Sequence, residues 1–253
     1  MTISLVVGAS RGLGLELAKR LSELGHEVFA TVRKSSPDSL PAGVHVIPNV
    51  DVAEEDAGKQ IVEGLSQREV DLVVVNAGVF KADTLEEPNF ANQVEMYKVV
   101  AIAPVLIAHH LVKAKKLASK GAKFILITTE GGSIALRTRE EGGGNYGHHA
   151  SKAAANMVGK LLANDLYEKG VTVAMIHPGF MKTDMTKGVG FDKFYESGGA
   201  VEPAEAAASA IDFILNLKRE QSGSFWAPRG PRDIGEAERV LGKNLPTPLQ
   251  LPW

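Results

Sequence analysis

The chain contains no cysteine, so disulfide staples, thiolate metal sites and a cysteine nucleophile are excluded. It also lacks an excess of either charge: 28 basic residues stand against 30 acidic ones, for a net charge of −2. The densest basic cluster is the short run KAKK from Lys113 to Lys116, which suits a solvated helix face better than a nucleic-acid footprint. No uninterrupted apolar stretch reaches the roughly 18 residues of a membrane-spanning helix. No signal-peptide pattern precedes the first strand candidate, so no membrane partner and a cytoplasmic location are expected. There is no internal repeat and no linker rich in Pro, Gly or Ser. What is present is an ordinary globular composition, 44% hydrophobic and 23% charged over 253 residues, enough for a sizeable core.

Gly8, Gly12 and Gly14 fall in the run LVVGASRGLG, after the apolar strand candidate Ile3 to Val7 and at the opening of a helix predicted over Leu13 to Leu24. Strand, glycine-rich turn and helix follow in the order that a dinucleotide pyrophosphate requires. Glycine lets backbone approach phosphate without a Cβ in the way, and the helix N-terminus offers free N–H groups and a positive dipole. The spacing is G-x-x-x-G-x-G, unlike the more common G-x-G-x-x-G. Further strand candidates are EVFATV, VHVIP, DLVVV, KFILIT, VTVAMI and a seventh near SGSFWA. Between them helices are predicted around Glu54 to Leu65, Asn89 to Ala118, Ala150 to Lys169 and Pro203 to Leu217. Apolar runs without polar alternation fit strands covered on both faces. The expected fold is one α/β domain over residues 1–253, a doubly wound Rossmann-type parallel sheet of about seven strands with helices on both faces. Two segments break the rhythm, Arg137 to Gly147 and Thr186 to Val201. Both follow strands, at the carboxyl edge of the sheet where ligands bind.

The motifs together carry a resemblance. GASRGLG, Asp51-Val52, Asn76-Ala77-Gly78, SKAAANM from Ser151, and His177-Pro178-Gly179 with Thr183 four residues later occur in one register. In that order the chain resembles the short-chain dehydrogenases/reductases over nearly its whole length. The run GSFWAPRG and the terminal Leu-Pro-Trp are similar to the C-factor-like, small carbonyl-reductase branch of that family. The resemblance implies that Gly8, Ser10, Arg11, Gly12, Leu13 and Gly14 hold the cofactor, with Asp51 and Val52 at its adenine. It implies that Asn76, Ala77 and Gly78 approach the adenosine ribose and stabilise the central strands. Lys152 would bond the nicotinamide ribose, and Pro178, Gly179, Met181 and Thr183 would hold the carboxamide. A pair of long helices would meet its copy in another subunit, giving a homodimer or homotetramer.

Charge argues for NADP(H). An NAD site places a carboxylate at the end of the second strand, whereas an NADP site needs a cation there. The second strand candidate ends in Arg33 and Lys34, with no acidic residue until Asp38, and Arg11 adds a guanidinium inside the glycine turn. Such groups meet a 2′-phosphate through charge-assisted bonds.

The departures from the family pattern lie in the chemistry. The family carries a tyrosine four residues before the lysine, and that position holds His148. Tyr146, two residues further away, fits a wall residue better than a displaced acid. The family's serine falls on Thr129, which keeps a hydroxyl, and its helix asparagine falls on Val100. A neutral imidazole is more naturally a base than an acid. Ordinary carbonyl reduction therefore looks impaired while the nucleotide site looks complete. Three readings follow: an NADPH-dependent reductase of a carbonyl or a pre-activated imine or iminium, a non-redox isomerase or cyclase with His148 as base, and a cofactor-sensing non-enzyme. No metal is expected. Phe180, Met181, Met185, Phe191, Phe194 and Tyr195 crowd a lid expected around residues 180–201, which suggests an apolar or aromatic small-molecule substrate. Tyr146 and Glu130 complete the candidate substrate contacts, Glu130 as the one carboxylate expected beside the reacting centre.

Overall fold

The computed structural model describes residues 1–34, 39–118 and 121–253; Asp38 lies outside them. Eight strands form one sheet in the order β3-β2-β1-β4-β5-β6-β7-β8. They are β1 (Ile3–Val7), β2 (Glu27–Thr31), β3 (His45–Ile47), β4 (Leu72–Val75), β5 (Lys123–Ile127), β6 (Thr172–Ile176), β7 (Ser224–Ala227) and β8 (Leu249–Gln250). The first seven match the strand candidates and run parallel, whereas β8 pairs antiparallel with β7. A strand of two residues carries too little periodicity to announce itself in the sequence.

The apolar strands are buried on both faces, as LVVV of β4 is throughout. Helix α1 (Gly12–Glu23) and α7 (Pro203–Asn216) cover one face through Leu17, Leu21, Ile211 and Ile214. The opposite face is covered by α2 (Ala57–Leu65), α4 (Ala103–Lys113) and α5 (Tyr146–Tyr167), with Ile61, Ile107 and Leu111 in that core. Each such side chain contributes about 1.5–3 kcal/mol on full burial. The chain crosses from β3 to β4 on the far side of β1, so the strand order reverses between β1 and β4. Ligands of such sheets sit at the carboxyl ends of the strands flanking that reversal. Gly8 follows β1 there and Asn76 follows β4.

Two helices depart from their predicted outlines. The long helix expected over Asn89–Ala118 is α3 (Phe90–Tyr97), a π-helical turn over Lys98–Ile102, and α4. Pro104, without an N–H, leaves the carbonyl of Val100 unclaimed, and the wider turn accommodates the break. The rod Phe90–Lys113 is long and apolar enough by composition to cross a membrane, although Glu95 and Lys98 interrupt it and part of it is buried against the core. Helix α5 begins at Tyr146, not Ala150, because its cap comes from a distant segment. The carboxylate of Asp83 accepts from Gly147 N–H at 3.3 Å, and the Asp83 carbonyl accepts from Asn145 N–H at 2.8 Å. A negative charge at a helix N-terminus also favours the dipole.

Candidate active site

The glycine turn is shaped by what stands behind it. Gly8 has φ +87°, and a Cβ there would lie 2.8 Å from Ala77 Cα. At Gly14 a Cβ would lie 2.0 Å from the Gly8 carbonyl oxygen and 2.5 Å from Asn76 Nδ2. Asn76 Nδ2 donates to that same Gly8 carbonyl at 2.9 Å. The two glycines and Asn76 thus lock the ends of β1 and β4 together. No side chain caps α1, so its first N–H groups remain available to an anion. This cradle fits a dinucleotide pyrophosphate.

Asp51 and Val52 follow β3 and lie at the same sheet edge; Asp51 Oδ1 accepts from Ala53 N–H at 3.0 Å. Arg33 and Lys34 follow β2 and are exposed. Ser10 is also exposed, whereas Leu13 is buried in the core with α1. Arg11 is not idle: its guanidinium stands 3.6 Å from the Asp184 carboxylate of α6 (Asp184–Gly188), with both side chains largely exposed. Such a surface pair is weak and readily exchanged.

Lys152 lies on α5, 7% exposed, and donates from Nζ to the Ile127 carbonyl at the end of β5 at 2.8 Å. Burial pushes its ammonium down to about 8. His148 sits one helical turn earlier on the same face. Its ring stacks on Phe80 with centroids 3.9 Å apart and planes at 19°, and its Nδ1 is buried without a hydrogen-bond partner. Burial first, then the Lys152 ammonium, then His149 and Arg137, push its pKa down to about 3. The sequence alone points to Lys152 as the cause; burial is the larger. Tyr146, at the start of α5, is 41% exposed, with its hydroxyl close to Gly143. His148 and His149 in this turn are both half-buried, and His148 is the one stacked on Phe80.

Thr129 follows β5, and its hydroxyl accepts from Gly131 N–H at 3.3 Å. Glu130 follows Thr129 and is ion-paired. Arg137 bonds it directly, and also reaches Glu141 at 2.6 Å. Arg137 lies seven residues on, at the start of the segment that the sequence pattern places at the carboxyl edge of the sheet. Val100 is buried in the π-helical turn and brings no polar group to the site.

After β6, Pro178 and Gly179 are buried, and Met181 pairs with Val201 through an isolated bridge. Thr183 caps α6, accepting from Thr186 N–H at 3.2 Å. Tyr195 Oη donates to the Thr183 carbonyl at 3.1 Å. Phe191 meets Phe80 edge-on at 5.6 Å and Phe180 at 6.4 Å, and Phe180 meets Tyr195 at 5.7 Å. A continuous aromatic wall runs from His148 through Phe80 to this segment. Phe194, 49% exposed, extends the wall by meeting Phe191 edge-on at 6.3 Å, and Met185 is 39% exposed. Sequence reasoning missed Phe80, two residues past the Asn76-Ala77-Gly78 turn, and Asp83, whose role appears only once α5 is in place.

The short-chain dehydrogenase family model matches residues 2–193. The chain belongs to the short-chain dehydrogenase family. It is an oxidoreductase of that type. It is 33% identical over 227 residues to a 1-hydroxy-2-glutathionyl-2-methyl-3-butene dehydrogenase of Rhodococcus, covering 89% of this chain and 96% of that protein. Among solved structures it is similar to the NADPH-bound carbonyl reductase from chicken fatty liver, at 27% identity and a TM-score of 0.77, covering 90% of this chain and 97% of that one. A short-chain dehydrogenase from Burkholderia cenocepacia in complex with NADP shares 26% identity and a TM-score of 0.73 over 89% and 95% of the two chains.

Proposed function

We propose that this enzyme is an NADPH-dependent reductase of an apolar or aromatic small molecule, a carbonyl or an iminium, with His148 standing where its family places a tyrosine. The observation that carries the reading is the pair on α5, a buried Lys152 and a half-buried His148. Lys152, tied to the end of β5, lies one turn from an imidazole held neutral against Phe80. NADPH supplies the hydride when bound. The α1 N-terminus and the Gly8–Gly14 cradle receive its pyrophosphate, and Lys152 holds the nicotinamide ribose. Arg33 and Arg11 meet the 2′-phosphate, with Arg11 leaving Asp184 to do so.

His148 then faces the acceptor as a neutral hydrogen-bond donor. At pKa about 3 it holds no spare proton near neutrality, so it suits an acceptor that arrives already activated. The ring faces of Phe80, Phe191 and Phe180 favour a flat or cationic acceptor, since a cation over an aromatic face gains about 0.5–2 kcal/mol. Thr129 supplies a hydroxyl contact; an iminium needs only the hydride, whereas a carbonyl also takes one proton, drawn from solvent, onto the alkoxide. A lid over residues 180–201 excludes water from this wall. The test is loss of NADPH absorbance against a panel of cyclic iminium salts and aromatic aldehydes. Product formed without NADPH loss would overturn the reading.

Assembly follows from exposed apolar residues on the outer helices. Phe90, Ile102 and Val105 on the α3–α4 rod and Met157 and Leu161 on α5 are exposed, beside an open apolar groove of about 370 Å³ lined by Phe90, Ala91 and Val94. A homodimer or homotetramer covers them, and sedimentation at the monomer mass would contradict it. The enzyme is cytoplasmic in this reading.

A further inference from the structure

A buried ionic cluster lies outside the residues assigned so far. After β7 the chain passes through Arg229 and Asp233, whose side chains are 7% and 1% exposed. Asp233 Oδ2 accepts from Phe180 N–H at 2.8 Å and stands 3.5 Å from Arg229 Nε. The other end of Arg229 donates to Glu205 of α7 at 2.5 Å. Asp233 Oδ1 lies 3.8 Å from His177 Nε2, within Coulombic reach but beyond hydrogen-bond length. Burial alone would raise the Asp233 acid, yet His177, the Phe180 N–H and Arg229 together hold it below the usual carboxylate range.

A buried ion pair is a poor route to stability, because desolvation offsets much of the attraction. Its location gives it another task. Gly179 has φ +107° and is pressed onto the pair: a Cβ there would lie 2.5 Å from Asp233 Oδ2 and 2.9 Å from Arg229 Cδ. The segment His177–Phe180 is therefore held at its last N–H by Asp233 and packed at its glycine against Asp233 and Arg229, while the His177 N–H donates to the Trp226 carbonyl of β7 at 2.8 Å. Phe180, fixed through its backbone, carries the ring that meets Phe191 and Tyr195. The stretch with the proposed carboxamide contacts is thus fastened on one side by Asp233 and on the other by Val201, whose N–H donates to the Phe180 carbonyl at 3.0 Å.

We infer that Arg229 and Asp233 are positioning residues for the nicotinamide half of the cofactor, acting through Gly179 and Phe180. The inference rests on the NADPH reading above. It separates the two ends of the cofactor, because the adenylate end is received by β1, β2 and α1, on the other side of the sheet's reversal. Asp233→Ala removes the acceptor and the charge; Asp233→Asn keeps an acceptor for Phe180 N–H; Arg229→Lys keeps a charge without the fork geometry.

The experiment titrates wild type and variants with NADPH and with adenosine 2′,5′-bisphosphate, which carries only the adenylate end. Asp233→Ala should weaken NADPH on the order of tenfold or more, in keeping with the sensitivity of a bound geometry to small displacements. Affinity for the bisphosphate should stay at the wild-type level, and Asp233→Asn should recover part of the loss. If Asp233→Ala does not fold, the Asn and Lys variants decide by the same ratio. Equal weakening of both ligands, or no change in either, overturns the inference. A wild-type protein that binds the bisphosphate but gains nothing from the nicotinamide end overturns it as well, and one that binds neither ligand overturns the cofactor reading on which it rests.

Discussion

The two sides of the ligand edge recognise by different means. Around β1, α1 and the end of β4, backbone does the work: glycines that cannot carry a Cβ, an uncapped helix N-terminus, and an asparagine that ties two strand ends. Around the start of α5 and the segment after β6, side chains do it: an imidazole against a phenyl ring, a lysine on a carbonyl, a buried ion pair behind a glycine. Backbone recognition admits few alternatives, so the first region keeps its family pattern. Side-chain chemistry can be exchanged one residue at a time, and in the proposed reading His148 stands where the family places its tyrosine.

Mutations can break the comparison on each side. The largest effect is expected at Gly14→Val, where the first carbon added already lies 2.0 Å from the Gly8 carbonyl. Overpacking of a tight core costs about 1–3 kcal/mol or more, and here it also wedges α1 from the cradle. NADPH titration should show no binding, with a lowered melting temperature. Lys152→Ala comes next, at the seam of the two regions. Loss of one charge-assisted contact weakens NADPH by about 1.5–3 kcal/mol. In wild type the same affinity should fall as pH rises through about 8, where Lys152 loses its proton.

Arg33→Asp sharpens the first region alone. Replacing the cation by a carboxylate should invert the preference for NADPH over NADH in paired fluorescence titrations, leaving turnover with saturating cofactor nearly unchanged. Equal affinity of the parent for both cofactors would refute the 2′-phosphate assignment.

A separate effect, on stability and not on cofactor binding, is expected at His148. Its folded pKa of about 3 lies below the value of about 6.5 in an unfolded chain. The folded state therefore binds fewer protons between these values. This term is fully present above pH 6.5 and is lost as pH falls from there toward 3. His148→Phe should flatten that part of the urea midpoint against pH, and an unchanged slope would show the ring to be hydrated.

Much of this was legible in the residues. The run of seven parallel strands follows from apolar β-branched segments, and the cradle follows from three glycines at a strand-to-helix turn. Counting back from Lys152 puts His148 one turn earlier on the same face of α5. What could not be read depends on contacts between distant segments. The α5 start depends on Asp83, 64 residues from Gly147. The fate of Glu130 depends on where the loop carrying Arg137 folds back. Arg229 and Asp233 look like ordinary surface charges in RGPRD until β7 brings them beneath Gly179. The strand β8 is too short to show a period.

The central claim is that His148 fills the tyrosine position and sets which acceptors are reduced. It is tested most directly by comparing wild type, His148→Tyr and Tyr146→Phe for NADPH-dependent reduction of an aromatic aldehyde and of a cyclic iminium. The account predicts that His148→Tyr gains aldehyde reduction, because it restores an acid beside Lys152, and that Tyr146→Phe leaves both rates close to wild type. No gain from His148→Tyr, together with loss of reduction in Tyr146→Phe, would contradict it and move the proton donor to Tyr146.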